Sequence, residues 1–364
     1  MARNNNKISS FCCVLLVALL VADNYNGCRA GGTEEVGVYE LKRGDFSIKF
    51  TNFGASMISA ILPDKHGNLA DVVLGFDSVD AYKNDTTYFG NIVGRVANRI
   101  GKAQFTLDGI LYKLVPNDNK VNILHGGPKG FSEVVWSVYS YRKDSHITFT
   151  YESFDGEQGF PGDLSVSVTY SIIGTNRLGV KMIAKPKDKP TPVNIALHTY
   201  WNLGGHNSGD IFSHTIQIFG SKITPVDKDL IPTGEIKSME GTPYDFLQPR
   251  TIGSRFKELP DGYDMNYVLQ DLNPGHLKKA AVVKDSVSGR TMELWTNKPG
   301  LQFYTSNMLD NVEGKDGAVY KRYAGIALET QGFPDSVNHP NFPSQIVNPG
   351  ETYEHIMVYR FTAH

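Results

Sequence analysis

The sequence predicts an all-β protein, a large antiparallel β-sandwich, and three features carry that expectation. Apolar and polar residues alternate at period two in run after run, and turn-forming clusters separate the runs. Windows with the 3.6-residue period of an amphipathic helix are few, and none is long. Successive strand side chains point to opposite faces, so a strand with one buried face shows an apolar residue at every second position.

In chain order, the first runs are Phe46, Ile48, Phe50 and Ile58, Ala60, Leu62. The turn cluster "PDKHGN" (63–68) follows, where Pro presets one dihedral and Asp, Gly and Asn accept the unusual ones. Ile147, Phe149, Tyr151 come next, and "FDGEQGFPGD" (154–163) separates them from Leu164, Val166, Val168, Tyr170. Leu178, Val180, Met182 form another run, and after "NPG" (348–350) the alternation of Tyr353, Met357, Tyr359 and Phe361 reaches almost to the last residue. Short strands joined by tight turns pair antiparallel, and sheets with one apolar face each bury those faces together.

The first thirty residues stand apart. Arg3 and Lys7 precede the apolar run "FCCVLLVALLVA" (11–22), and the small-residue pattern Cys28-Arg29-Ala30 follows. That is the form of a secretory signal peptide. Twelve apolar residues are too few to cross about 30 Å of hydrocarbon as a helix. We therefore expect residues 1–30 to be a cleaved signal, residues 31–364 to form one domain, and the mature chain to be secreted; retention through an uncleaved anchor is the alternative. Cleavage after Ala30 removes Arg3, Lys7, Arg29 and Asp23 and moves the net charge from −2 to −4. That balance gives no basis for binding nucleic acid or, after cleavage, a membrane.

All three cysteines, Cys12, Cys13 and Cys28, fall in the presumed signal, so the mature chain would carry neither a disulfide nor a thiolate nucleophile. Asn84-Asp85-Thr86 is an acceptor triplet for an N-linked glycan.

The chemistry falls where the alternation breaks: "GRVANRI" (94–100), "NILHGGPKGF" (122–131), "NIALHTYWNLGG" (194–205) and "LETQGFPDSVNHP" (328–340), with "GYDMNYVL" (262–269) and "GLQFYTSN" (300–307) as weaker additions. A carboxylate such as Glu329 at the end of the apolar strand "YAGIALE" is costly unless a donor or a charge meets it. There is no G-x-S-x-G elbow, Walker loop, G-x-G-x-x-G or H-E-x-x-H. His125 and His198 lack a third ligand nearby in sequence, so no metal is expected.

Together, "GRVANRI", "LHGGPKGF", "HTYWNLGG" and "ETQGFPDSVNHPNFP", in this order, resemble the aldose 1-epimerase family, the galactose mutarotases. The likeness runs from "FTNFGASMISAILPDKHG" (50–67) to "VNPGETYEH" (348–355). It implies a galactose mutarotase-like supersandwich that interconverts the α and β anomers of free hexoses such as glucose and galactose, with no cofactor or metal. By position it implies Glu329 as general base and His198 as general acid, with Asn98, Arg99, His125, Asp264 and Gln302 binding the sugar. Met265 stands after Asp264, where the family often has histidine.

Ring opening needs one proton taken from the anomeric O1 hydroxyl and one given to the ring oxygen O5. The productive complex would therefore hold Glu329 ionised and His198 protonated. Trp201 and Phe303 are candidate platforms for the sugar's C–H face, and the glycine pairs 126–127 and 204–205 are expected to bend the backbone beside His125 and His198. We expect a monomer or weak dimer. A glycoside hydrolase built on Glu329 and Asp264, and a catalytically silent sugar- or partner-binding protein, are the competing readings.

Overall fold

The final apolar run, Tyr353–Ala363, forms the middle of the largest sheet, pairing with Arg177–Pro186 on one side and Arg290–Thr296 on the other. Outward from it the nine-stranded sheet continues through Leu164–Ile173, His146–Ser153 and Ser137–Arg142 on one flank. Lys278–Lys284, Thr215–Ile218 and Arg250–Thr251 complete the other flank. The computed structural model describes residues 35–270 and 275–364. The presumed signal, residues 1–30, lies outside the described residues.

A six-stranded sheet, ordered Tyr200–Trp201, Ile326–Gln331, Gly300–Tyr304, Asp264–Leu269, Gly220–Ile223 and Lys237–Ser238, faces the nine-stranded one. A four-stranded sheet from Val38 to Asp71 closes one side. The interior between them is continuous: Phe50 meets Tyr170 with ring centroids 4.3 Å apart, and Trp201 meets Tyr359 at 5.4 Å. Leu164, Val166, Val168 and Tyr170 all point into it, as do Leu178, Val180 and Met182, so the period-two reading holds residue by residue. Residues Val36–His364 pack as one unit.

Among the described residues the one α-helix is the single turn Val79–Tyr82, and no helix is long and apolar enough to cross a membrane. The expected antiparallel all-β architecture is therefore the observed one.

Candidate active site

Three adjacent strands of the six-stranded sheet build the floor of a cleft. Asn266 lies opposite Gln302, and Gln302 lies opposite Glu329, so three polar side chains stand in a row on one face. Asp264 and Tyr304, paired two positions along, share that face. The residues between them, Met265, Phe303 and Leu328, turn the other way into the core. Met265 therefore replaces nothing at the cleft, although it neighbours Asp264 in sequence.

His198 comes from the short strand Ala196–His198, held opposite Asn91 by the strand Asn91–Val93. Its Nε2 lies 3.5 Å from Glu329 Oε1, and both side chains are almost wholly buried. His198 Nδ1 and Glu329 Oε2 have no hydrogen-bond partner in the protein. Buried polar atoms of native proteins are nearly always satisfied, so an acid and a base left short of partners within two residues that line one cleft are costly to the fold and suited to chemistry.

The strands Arg99–Ile100 and Ile123–Leu124 bring in the opposite wall. His125 N–H donates to Asn98 O at 3.0 Å, and Asn98 N–H donates to His125 Nδ1 at 3.2 Å. Because Nδ1 accepts, the neutral ring carries its proton on Nε2, and His125 serves the cleft as a donor. Asn98 and His125 both have left-handed backbones, φ +62° and +52°, as does Tyr88 at +62°. Such conformations are uncommon for residues with a side chain and cluster where function needs them. Gly126 is required for the same turn: at φ +87°, a Cβ there would stand 1.9 Å from Gly94 O.

All seven residues singled out in the sequence, Glu329, His198, Asn98, Arg99, His125, Asp264 and Gln302, line this one cleft of about 280 Å³. That volume is at the small end of ligand pockets and fits one sugar ring better than an oligosaccharide. Gln302 is committed within the protein: its Nε2 donates to Asp264 Oδ1 at 2.5 Å, and its Oε1 accepts from Gln331 at 3.4 Å. These bonds steady the Asp264 carboxylate and leave Gln302 a second N–H at the cleft.

The aromatic wall differs from the expected one. Trp201 and Phe303 are fully buried in the core and cannot touch a sugar. Tyr88, Tyr200 and Tyr304 line the cleft instead, with Tyr88 4.8 Å from the His125 ring and Tyr200 5.0 Å from that of His198. The signal for Tyr304 was in the alternation: once Gln302 faces the cleft, Tyr304 must, and Phe303 must not. The second glycine pair also differs. Gly205 is left-handed at φ +125°, but Gly204 belongs to a separate cavity bounded by Asp64, Ser208 and Arg290, away from the His198 ring. Asp118, bonded to Arg99, carried no sequence signal.

Burial sets the ionisation of the pair. Desolvation pushes the Glu329 carboxyl well above the usual range, with Asp264 adding to the shift and Arg99 opposing it. Desolvation also draws the His198 imidazole down to about 4, against its own main-chain carbonyl. Burial thus works against the charged form of each group. The neutral pair and the ionised pair expected from sequence hold the same number of protons, so one internal transfer interconverts them.

His125, His198 and Glu329 place ligand-type atoms within 4.8 Å of one another. Two imidazoles and a carboxylate suit zinc in type, but His125 Nδ1 is spent on Asn98 and its Nε2 bears the proton, a tautomer set for hydrogen bonding. Treatment with a chelator is expected to leave the rate unchanged. Millimolar Zn²⁺ is expected to inhibit by capping the Glu329 and His198 lone pairs; loss of activity on chelation, regained with metal, would reverse this assignment.

The chain matches known proteins over nearly its whole described length. The family model described as aldose 1-epimerase matches residues 37–360. The chain is 40% identical to galactose mutarotase of Bos taurus over 333 residues, covering 91% of this chain and 95% of that one. It is 36% identical to aldose 1-epimerase of Escherichia coli, covering 87% and 92%. The structure of the GalM/aldose epimerase homologue from C. elegans superposes with a TM-score of 0.84 at 30% identity, over 90% of this chain and 99% of that one.

Proposed function

The chain belongs to the aldose 1-epimerase family, and from that premise we propose that it interconverts the α and β anomers of free hexoses such as glucose and galactose, with Glu329 and His198 as the proton-transfer pair. The observation that carries the residue assignment is the 3.5 Å approach of His198 Nε2 to Glu329 Oε1, with both groups facing one cleft. In a pyranose, O1 and O5 are bonded to the same carbon. An acid and a base that serve them must therefore be neighbours.

Glu329 removes the O1 proton while His198 protonates O5, and the C1–O5 bond opens to the aldehyde. Rotation about C1–C2 presents the other carbonyl face, and the reverse transfers close the ring as the second anomer. His125 Nε2–H and Arg99 supply donors for sugar oxygens, including the ring oxygen as its charge changes. Asp264, steadied by Gln302, accepts from hydroxyls at the other side of the sugar. The tyrosine walls cover the ring's C–H face.

Polarimetry tests the reading: purified protein added to fresh α-glucose or α-galactose is expected to accelerate the drift of optical rotation to equilibrium. Sugar binding with no acceleration would mean a silent binding protein, and release of reducing sugar from a glycoside would mean a hydrolase.

The protein acts outside the cytoplasm as a monomer or weak dimer. Arg3, Lys7 and the apolar run to Ala22 support a signal ending at Ala30. Asn84 is exposed, two positions before Thr86 at the cleft mouth, and is the place for a glycan in a secreted chain. N-terminal sequencing of the chain recovered from culture medium is expected to begin at Gly31.

A further inference from the structure

Arg99 is nine-tenths buried at the cleft wall, and among the described residues its one ion pair is with Asp118, Nε to Oδ2 at 3.0 Å. The bond uses Nε and leaves the terminal nitrogens for the cleft. Asp118 is itself held: its N–H donates to Asn122 O at 3.0 Å, and its carbonyl accepts from Asn122 N–H at 2.9 Å. Next to it, Asn117 brackets Leu124, accepting from its N–H at 2.7 Å and donating to its carbonyl at 3.0 Å. Leu124 is the ladder partner of Arg99 and precedes His125. One turn thus grips both sides of the donor wall.

We propose that Asp118 is a positioning residue for the reaction: it anchors Arg99 by its Nε edge and so keeps the guanidinium from collapsing onto the buried carboxylates of Asp264 and Glu329. An arginine free to close on those carboxylates would form a direct ion pair with them and remove the base from use. Asp118 also offsets part of the positive charge that Arg99 presents to Asp264. The charged and titratable groups facing Glu329 are Arg99, Asp264, His125 and His198, with the hydroxyls of Tyr200, Tyr304 and Tyr359. Asp118 is the counter-ion behind the first of these.

The inference rests on the proposed epimerase chemistry, and the experiment separates the two. Wild type, D118N and D118A are compared by polarimetry across pH, with thermal melting as a check on folding. An inactive wild type would defeat the chemistry itself. With an active wild type, D118N keeps an acceptor for Arg99 Nε but loses the charge. Both limbs of its pH–rate profile are expected to move to lower pH, because an uncompensated cation favours proton loss from each group. D118A loses the acceptor as well, and its KM is expected to rise by about tenfold or more. In an R99Q background, D118N should shift nothing further. Wild-type pH limbs and KM in both single variants would overturn the proposal, and so would a shift that persists undiminished without Arg99.

Discussion

Glu329→Gln is expected to lower kcat by about 10²- to 10⁴-fold with KM little changed, and His198→Asn to do the same. Each substitution keeps shape and hydrogen-bonding capacity while removing the ability to exchange a proton, so the loss reports chemistry and not packing. The two residues act as a unit. The double variant should therefore cost little more than the worse single one, in place of the product of the two.

The pH dependence has a definite sign. The active pair holds one proton in total. Below the lowered His198 value, about 4, a second proton enters and removes the base. Above the raised Glu329 value the shared proton is lost and no acid remains. The rate should form a bell between these limits, with its basic limb above the usual carboxylate range. Initial rates by polarimetry, with circular dichroism to verify the fold, check all of this. A variant at either position with wild-type kcat would remove that residue from the mechanism.

The other large effect is on stability. Arg95 lies four positions before Arg99 in "GRVANRI", but its side chain runs away from the cleft into the protein. It donates to Pro161 O at 2.8 Å, Gly162 O at 2.9 Å, Phe154 O at 3.2 Å, Thr191 Oγ1 at 3.1 Å and Ser153 Oγ at 2.5 Å. Ser153 and Tyr151 in turn donate to the buried carboxylate of Glu157. Burial draws the Arg95 guanidinium down to about 10, so it stays charged at neutral pH.

Arg95→Met would strand three main-chain carbonyls and leave the Glu157 charge uncompensated. Breaking such a buried network by removing one partner costs about 3–5 kcal/mol. Chemical denaturation should show the loss as a lower midpoint at similar slope. Arg99→Gln should raise KM and cost less stability than R95M, because Arg99 makes one bond to Asp118 where Arg95 makes five. If R95M unfolded at the wild-type denaturant concentration, the network would have no structural weight.

These two arginines show where reading the chain stops being enough. Both sit in one seven-residue motif whose one regular element, the strand Arg99–Ile100, is too short for periodicity to assign either to a face. Only the surrounding segments decide: residues 151–162 wrap one, and Asp118 and the cleft take the other. The aromatic residues teach the opposite lesson. Phe303 and Tyr304 lie on a regular strand, so their faces were fixed by parity once Gln302 was placed. Trp201 pairs opposite Ile326 and joins the Tyr359 and Phe361 rings in the core, contacts that lie far away in sequence.

By itself the sequence determined the all-β architecture, the family, and the membership of the cleft, because alternation and motif order are local properties that survive without coordinates. Tertiary structure decided which aromatic rings wall the site, where Arg95 spends its donors, and how burial shifts the Glu329 and His198 pair. Those outcomes depend on burial and on charges brought together from distant segments, and desolvation energies exist only once the chain has closed around them.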